Sequence, residues 1–317
     1  MIISERYGPE SSRSPKTDGE VRYLLRLGNG QSWEIVATGD AGPWAGKLAT
    51  IMRLKPCKPN GNPKLLFVRE ERLMDLRQWI PSRDGEGVLR DLPSDGWKSY
   101  ELPSLRFWVH PGLPGVVCEM AGDRSHELEI LQMGQALCPI YFRAMQEGGL
   151  PIHAALIERE GRGFLISAPG GTGKSTCCRR IPGPWRALSD DLSLVVVDEK
   201  GNYRAHPFPT WSDYMWRRSE QIWDVQCSLP LEAIFFLEQG TKDEMAPIGK
   251  GEAAASVIEA ASQICLSFWR DLAPGERRTS KTMIFDNACG LARSIPAFRL
   301  RASIDGRFWE EMEAAVR

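Results

Sequence analysis

The chain has 317 residues, 42% of them hydrophobic, with Lys+Arg 40 against Asp+Glu 41. That length buries one large core or two ordinary ones, and a formal net charge of -1 excludes a global field that would draw the protein to nucleic acid or to an anionic membrane. No window carries the roughly 18 apolar residues of a membrane span, and the opening MIISERYGPESSRSPKTDGE lacks the apolar centre of a signal peptide, so a cytoplasmic protein is expected.

In chain order, residues 1–20 are polar and rich in Ser and Pro, which predicts a loose arm. VRYLLRL and SWEIVAT flank Gly-Asn-Gly and read as a β-hairpin; WAGKLATIMRL follows as a short amphipathic helix. KLLFVRE, LRFWVH and GVVCEM add strands between loops dense in Pro, Gly and Asp. HELEILQMGQALCPIYFRAMQ, about 126–146, has a helical pattern that Pro139 should kink or split, and Gly148-Gly149 ends it. The expected organisation is an α+β N-terminal accessory domain over 21–148, with edge strands that permit peptide binding, and an α/β domain over 149–317.

In the second half, IHAALIE and GFLIS pair across Arg159-Glu160-Gly161 and lead into a glycine loop. LSLVVV, LEAIFFL and AFRLRA supply further strands, and DGRFWEEMEAAV closes as a helix with Asp305 as its expected N-cap. RDLAPGERRTSK, 270–281, reads as a basic, mobile loop suited to an acidic peptide or simply to solvent. The eight cysteines form no CxxC pair and no zinc-spaced cluster, and are expected to be reduced, mostly buried small side chains.

The stretch GFLISAPGGTGKSTCCRR carries the chemistry. Gly170, Gly171 and Gly173 let successive amide N–H groups face inward as a nest for polyphosphate, with Thr172, Ser175 and Thr176 beside them. In the phosphate-loop pattern Lys174 reaches the β- and γ-phosphates of ATP or another nucleoside triphosphate, and Ser175 ligates Mg²⁺. Ala168 stands where the strict pattern has glycine, and Pro182 and Pro184 limit the following helix to about two turns.

Asp190 and Asp191 end the next short strand, RALS. Adjacent carboxylates there can divide labour, one holding Mg²⁺ and the other accepting a hydroxyl proton; the plain alternative is a solvated turn. His153 lies on the strand expected to pair with the one feeding the loop, where a lone histidine is commonly a hydrogen-bonded core residue. HPFPTWSDYMWRR, 206–218, reads as a substrate lip with Arg217 or Arg218 facing phosphate, or as a packed loop with solvated arginines. Cys177 and Cys178 read as packing residues or as thiols activated at a helix start, and Trp33, Trp44, Trp211 and Trp309 as core or rim aromatics.

His153, fourteen residues, A-x-x-G-x-G-K-S and then the Asp190-Asp191 pair resemble the C-terminal domain of bacterial HPr kinase/phosphorylase. GQSWEI, the IHAALIEREGRG to GGTGKSTCCRR block, HPFPTWSDY, AIFFLEQG and GRFWEEME look like the SynChlorMet cassette protein family ScmC, encoded beside radical SAM enzymes and a precursor peptide.

The resemblance implies a phosphotransferase acting on a hydroxyl of a precursor peptide or small carrier protein, with the cassette's radical SAM enzymes as further partners. It implies that Gly170, Gly171, Gly173, Lys174 and Ser175 bind phosphates and Mg²⁺, with Asp190 as base, Asp191 as metal ligand and His153 beside the transferring phosphate. The Glu-Ile-Arg-Gly-Leu-Gly segment of HPr kinases is absent, so neither HPr as acceptor nor the reverse reaction carries over. Those kinases form rings, which leaves a homo-oligomer open. A nucleotide-binding adaptor without transfer, and a small-molecule kinase of the phosphoenolpyruvate carboxykinase kind, stay open as rival readings.

Overall fold

The computed structural model describes residues 19–70, 92–93, 95–122, 125–217, 221–269 and 272–316. The arm expected over 1–20 lies outside these except for its last two residues. Strands β1 (Val21–Arg26) and β2 (Ser32–Ala37) pair antiparallel, and helix α1 (Gly42–Ile51) follows with proline in its first turn. Strands β3 (Lys55–Pro56), β4 (Lys64–Glu70), β5 (Lys98–Glu101), β6 (Leu105–Val109) and β7 (Val116–Ala121) complete a seven-stranded sheet in the order β3-β1-β2-β4-β7-β6-β5.

Pro139 divides the next helical run as its chemistry requires. It sits in the first turn of a second helix, so α2 (His126–Ala136) ends and α3 (Cys138–Gln146) begins around Leu137. A nine-stranded sheet follows. Its strands are β8 (Leu150–Ile152), β9 (Ala154–Arg159), β10 (Arg162–Ser167), β11 (Arg186–Ser189), β12 (Leu192–Val197), β13 (Tyr203–Phe208), β14 (Leu229–Gln239), β15 (Glu244–Pro247) and β16 (Ala297–Ala302). The order β11-β9-β10-β14-β13-β12-β8 holds most of them, and β16 joins β14 to β15. The whole is a mixed α/β fold.

Both faces of the second sheet are covered, which is why its strands read as near-continuous apolar runs. Helices α6 (Lys250–Trp269) and α7 (Pro274–Ser294) cover one face, where Leu156, Leu165 and Ile234 meet Val257, Ala261, Ile284 and Leu291. On the other face Ile157, Phe164, Ile166 and Phe235 pack with Cys177 of α4 (Lys174–Arg180) and with Phe308 and Met312 of α8 (Phe308–Ala315). Among the described residues no helix is long and apolar enough to cross a membrane.

Three expectations need correction. The basic stretch read as a mobile loop over 270–281 is, from Pro274 onward, the start of α7, while 270–271 lie outside the described residues. Pro274 in the first turn and Glu276, whose carboxylate accepts the Ala273 N–H at 3.2 Å, are helix-start signals that the run of charge obscured. Buried Ser280, Ile284, Ala288 and Leu291 mark its inner face. Helix α6 had no counterpart in the sequence reading. Asp305 is not the last helix's N-cap; Arg307 is. The Arg180 guanidinium donates to the carbonyls of Ser303 and Gly306, which holds that turn non-helical and delays the helix.

The two sheets share apolar material across the expected boundary at 148. Leu25, Ile35, Trp44 and Leu48 lie in one buried cluster with Leu192, Leu194, Val196 and Phe208. A polar contact crosses the same junction: His206, wholly buried, accepts the Gly28 N–H on Nε2 at 2.9 Å, and its Nδ1 stands 2.9 Å from the Val225 carbonyl. That pair fixes the neutral tautomer with the proton on Nδ1.

Burial pulls the His206 pKa from 6.5 down to about 4. The unfolded chain therefore binds a proton that the folded chain refuses between those values, so stability falls as pH drops through that window, by up to roughly 3 kcal/mol. Thermal unfolding of wild type and His206→Gln between pH 7 and pH 4 checks this. The wild type should lose more stability across the interval than the variant, and parallel pH profiles would refute the assignment.

Candidate functional site

Strand register brings three chain ends to one edge of the second sheet. β9 pairs antiparallel with β10, Ser167 opposite Ala154, and also with β11, Ser189 opposite Leu156. The end of β10, which runs into the glycine loop, the residue before β9, which is His153, and the end of β11, which runs into Asp190 and Asp191, are thereby neighbours. Hydroxyls lock the arrangement: Ser167 Oγ donates to the His153 carbonyl at 3.0 Å, Ser193 Oγ donates to that of Ala154 at 2.9 Å, and Ser189 Oγ accepts the Leu156 N–H at 3.2 Å.

The loop from Ala168 to Gly173 turns through two left-handed glycines, Gly171 at φ +78° and Gly173 at φ +119°, the latter capping α4. A Cβ on Gly170, Gly171 or Gly173 would meet nothing within 4 Å, so the loop opens to solvent and two of its three glycines are required by backbone angle alone. Lys174 is more deeply buried than its neighbours. Only 5% exposed, it folds back so that Nζ donates to the Ala168 carbonyl at 2.8 Å. Gln239, at the end of β14, donates from Nε2 to the Thr172 carbonyl at 3.2 Å and braces the far side of the loop. Thr172 and Ser175 are half-buried, and Thr176 is exposed.

Burial lowers the Lys174 pKa, while the charges of Asp191 and then Asp190 pull the other way. The lysine thus lies within electrostatic reach of both carboxylates. Burial pushes Asp191 up, but contact with His153, the His153 charge and the Lys174 charge together outweigh it and hold the carboxyl below its ordinary value. His153 Nε2 stands 2.9 Å from Asp191 Oδ1, a close contact that falls outside hydrogen-bond geometry for the ring N–H. Asp190 has another partner: Thr210, 4% exposed, donates from Oγ1 to Asp190 Oδ1 at 2.6 Å. One oxygen of Asp190 is occupied, and the other has no hydrogen-bond partner among the described residues.

All the residues singled out in the sequence, His153, the glycine loop, Lys174, Ser175, Asp190 and Asp191, belong to this one sheet edge or its adjoining loop. Thr210 and Gln239 were missed. Thr210 lay inside the HPFPTWSDY stretch, but nothing in its spacing ties it to Asp190; that link arises because Leu192 pairs with Phe208 across β12 and β13. The stretch continues as helix α5 (Trp211–Arg217), whose packed start favours the packed alternative; the side chains of the arginines at 217 and 218 lie outside the described residues.

Burial raises Cys177 to about 11 and Cys178 to about 12, so both thiols stay neutral and pack. The eight cysteines are free; four are buried and four half-buried. Among the described residues no three His, Cys, Asp or Glu side chains gather as a metal cage. Asp191 and Ser175, a carboxylate and a hydroxyl, are hard-oxygen groups of the kind that could hold Mg²⁺ when substrate phosphates and water complete its shell.

Compared with known families, residues 116–317 match the family described as SynChlorMet cassette protein ScmC. The match takes in β7, the whole second sheet and every residue of the site, and leaves most of the first sheet outside. No curated protein matches the chain.

Loop geometry yields a stability test independent of ligand. Gly171→Ala and Gly173→Ala force a Cβ into left-handed backbone and should each cost about 1–3 kcal/mol, while Gly170→Ala should stay within about 0.5 kcal/mol. Urea unfolding of the three variants reads the difference. Equal losses at all three positions would contradict the loop conformation.

Proposed function

The chain belongs to the family of the SynChlorMet cassette protein ScmC, and on that premise we propose that it is a P-loop phosphotransferase with an HPr kinase-like catalytic domain, moving the γ-phosphoryl of ATP to a hydroxyl of a precursor peptide or small carrier. The carrying observation is the convergence of Lys174 with both aspartates at the edge where the glycine loop opens. A bound triphosphate would receive the loop's amide N–H groups and the Lys174 ammonium, which exchanges the Ala168 carbonyl for phosphate oxygens.

Catalysis at such a site is positioning and charge neutralisation. The acceptor oxygen forms a bond to the γ-phosphorus, the bond to the β–γ bridging oxygen breaks, ADP leaves, and the hydroxyl proton passes to the free oxygen of Asp190. Thr210 keeps Asp190 in one orientation for that step. His153 holds Asp191 as an anion. Mg²⁺, when bound, supplies neutralisation of the phosphate charge, and Asp191 with Ser175 are the residues that would hold it. The fold context and the open loop equally suit a small-molecule acceptor; the cassette setting of the family favours a peptide.

Incubation with γ-labelled ATP and the precursor peptide tests the reading. Labelled peptide should appear with wild type, Asp190→Asn should cut the rate about 10²–10⁴-fold while ATP still binds, and Lys174→Ala should weaken both binding and rate. Unlabelled peptide under conditions where ATP is bound, with pathway output intact in Asp190→Asn, would replace the transferase by a nucleotide-binding adaptor. Turnover of a metabolite without peptide would point to a small-molecule kinase.

A further inference from the structure

A triphosphate in the glycine loop has a direction. His153, Asp190 and Asp191 stand on the β9–β11 side of the loop, so a nucleotide whose terminal phosphate faces them carries its nucleoside toward the other side, where the sheet continues from β10 into β14 and β16. Those three strands run parallel and end at one edge, the usual place for a ligand in an open α/β sheet. The loop adjoins that side directly. Thr172 meets Gln239 at the end of β14, the next residue, Gly240, donates its N–H to the Ala302 carbonyl at the end of β16 at 3.0 Å, and Ile304 lies two residues beyond.

The turn after β16 is tethered from two sides. Asp243 Oδ1 accepts the Ser303 N–H at 2.6 Å and the Ser303 hydroxyl at 2.9 Å, and a Cβ on Gly306 would stand 1.9 Å from the other Asp243 oxygen. The Arg180 guanidinium donates to the carbonyls of Ser303 and Gly306, so α4, which opens with Lys174, also fixes this turn from its far end. On it Ile304 is 79% exposed, more than any other large apolar side chain among the described residues. A slack turn would let an isoleucine fold down onto the protein; with Ser303 and Gly306 both pinned, this one is held out in water. A single surface isoleucine needs no explanation by itself. One presented rigidly beside a triphosphate loop, on the side the nucleoside takes, offers apolar area where a base arrives.

We propose that Ile304 is the platform on which the nucleobase of the bound triphosphate rests, with the turn 303–306 as one wall of the nucleoside site. This rests on the reading of the glycine loop as a triphosphate site. An aliphatic platform supplies buried area and no hydrogen-bond pattern, so its effect is to favour a nucleotide over inorganic polyphosphate.

Isothermal titration of the full chain with Mg²⁺-ATP and with Mg²⁺-tripolyphosphate, without any acceptor, separates the nucleoside from the phosphates and both from catalysis. The wild type should bind ATP at least about tenfold more tightly than tripolyphosphate, and Ile304→Ser should remove most of that advantage while leaving the tripolyphosphate Kd unchanged. Ile304→Trp should instead tighten ATP about fivefold by stacking, again with no effect on tripolyphosphate. The side chain is exposed, so the Tm without ligand should be the same in all three chains, which keeps loss of binding distinct from loss of fold.

An ATP affinity untouched in Ile304→Ser, an equal loss for tripolyphosphate in that variant, or a wild type that holds tripolyphosphate as tightly as ATP would each overturn the platform and leave the phosphate loop standing. A wild type that binds neither ligand would remove the triphosphate site itself, and the platform with it.

Discussion

The pairing of β9 with strands on both sides is the constraint on which the site depends. β9 lies between β10 and β11, and its register with each decides where their ends fall. A slip of one residue would reverse every side chain on the strand, and here both faces resist it, because Ala154 and Leu156 pack under α6 and α7 while Ala155 and Ile157 pack under α4 and α8. Three serine hydroxyls then tie the strand ends to main-chain groups of β9 and of His153. The candidate edge is therefore set by core packing laid down well away from it.

On that frame the electrostatics are such that a bound anion would change them. Lys174 is kept buried and tied to a carbonyl of its own loop, at a cost in solvation that the two nearby carboxylates partly offset. A polyphosphate would supply several anionic oxygens in place of one carbonyl dipole, an exchange that favours release of the lysine into the loop. Asp191 is already held as an anion by His153 and Lys174, and Asp190 is already oriented by Thr210, so the proposed transfer would demand little reorganisation of the carboxylates.

Much of this was legible in the residues because it is local. The hairpin, the Pro139 break, the strand–loop–helix around Lys174 and the short following helix each follow from turn chemistry, proline or apolar runs within a few positions. Helix α6 was not legible: its alanine-rich inner face, Ala253, Val257, Ala260 and Ala261, gives a weak apolar contrast, and its burial becomes evident only once the second sheet stands behind it. The basic face of α7 misled in the opposite direction, since Arg277, Arg278 and Lys281 obscured the spacing of Ser280, Ile284 and Ala288. Thr210 and Gln239 could not be found at all, because their contacts come from strand pairing across long stretches of chain and leave no periodic trace.

The expected division into an accessory half and a catalytic half is qualified by how Thr210 is held. It follows β13, and that strand is anchored from the first half: Phe208 shares a buried cluster with Leu25, Ile35 and Trp44, and His206 receives the Gly28 N–H. The first sheet is in this sense the back wall of the proposed catalytic edge. The Gly28–His206 hydrogen bond ties the β1–β2 turn to the strand that leads into Thr210, whose hydroxyl in turn meets Asp190.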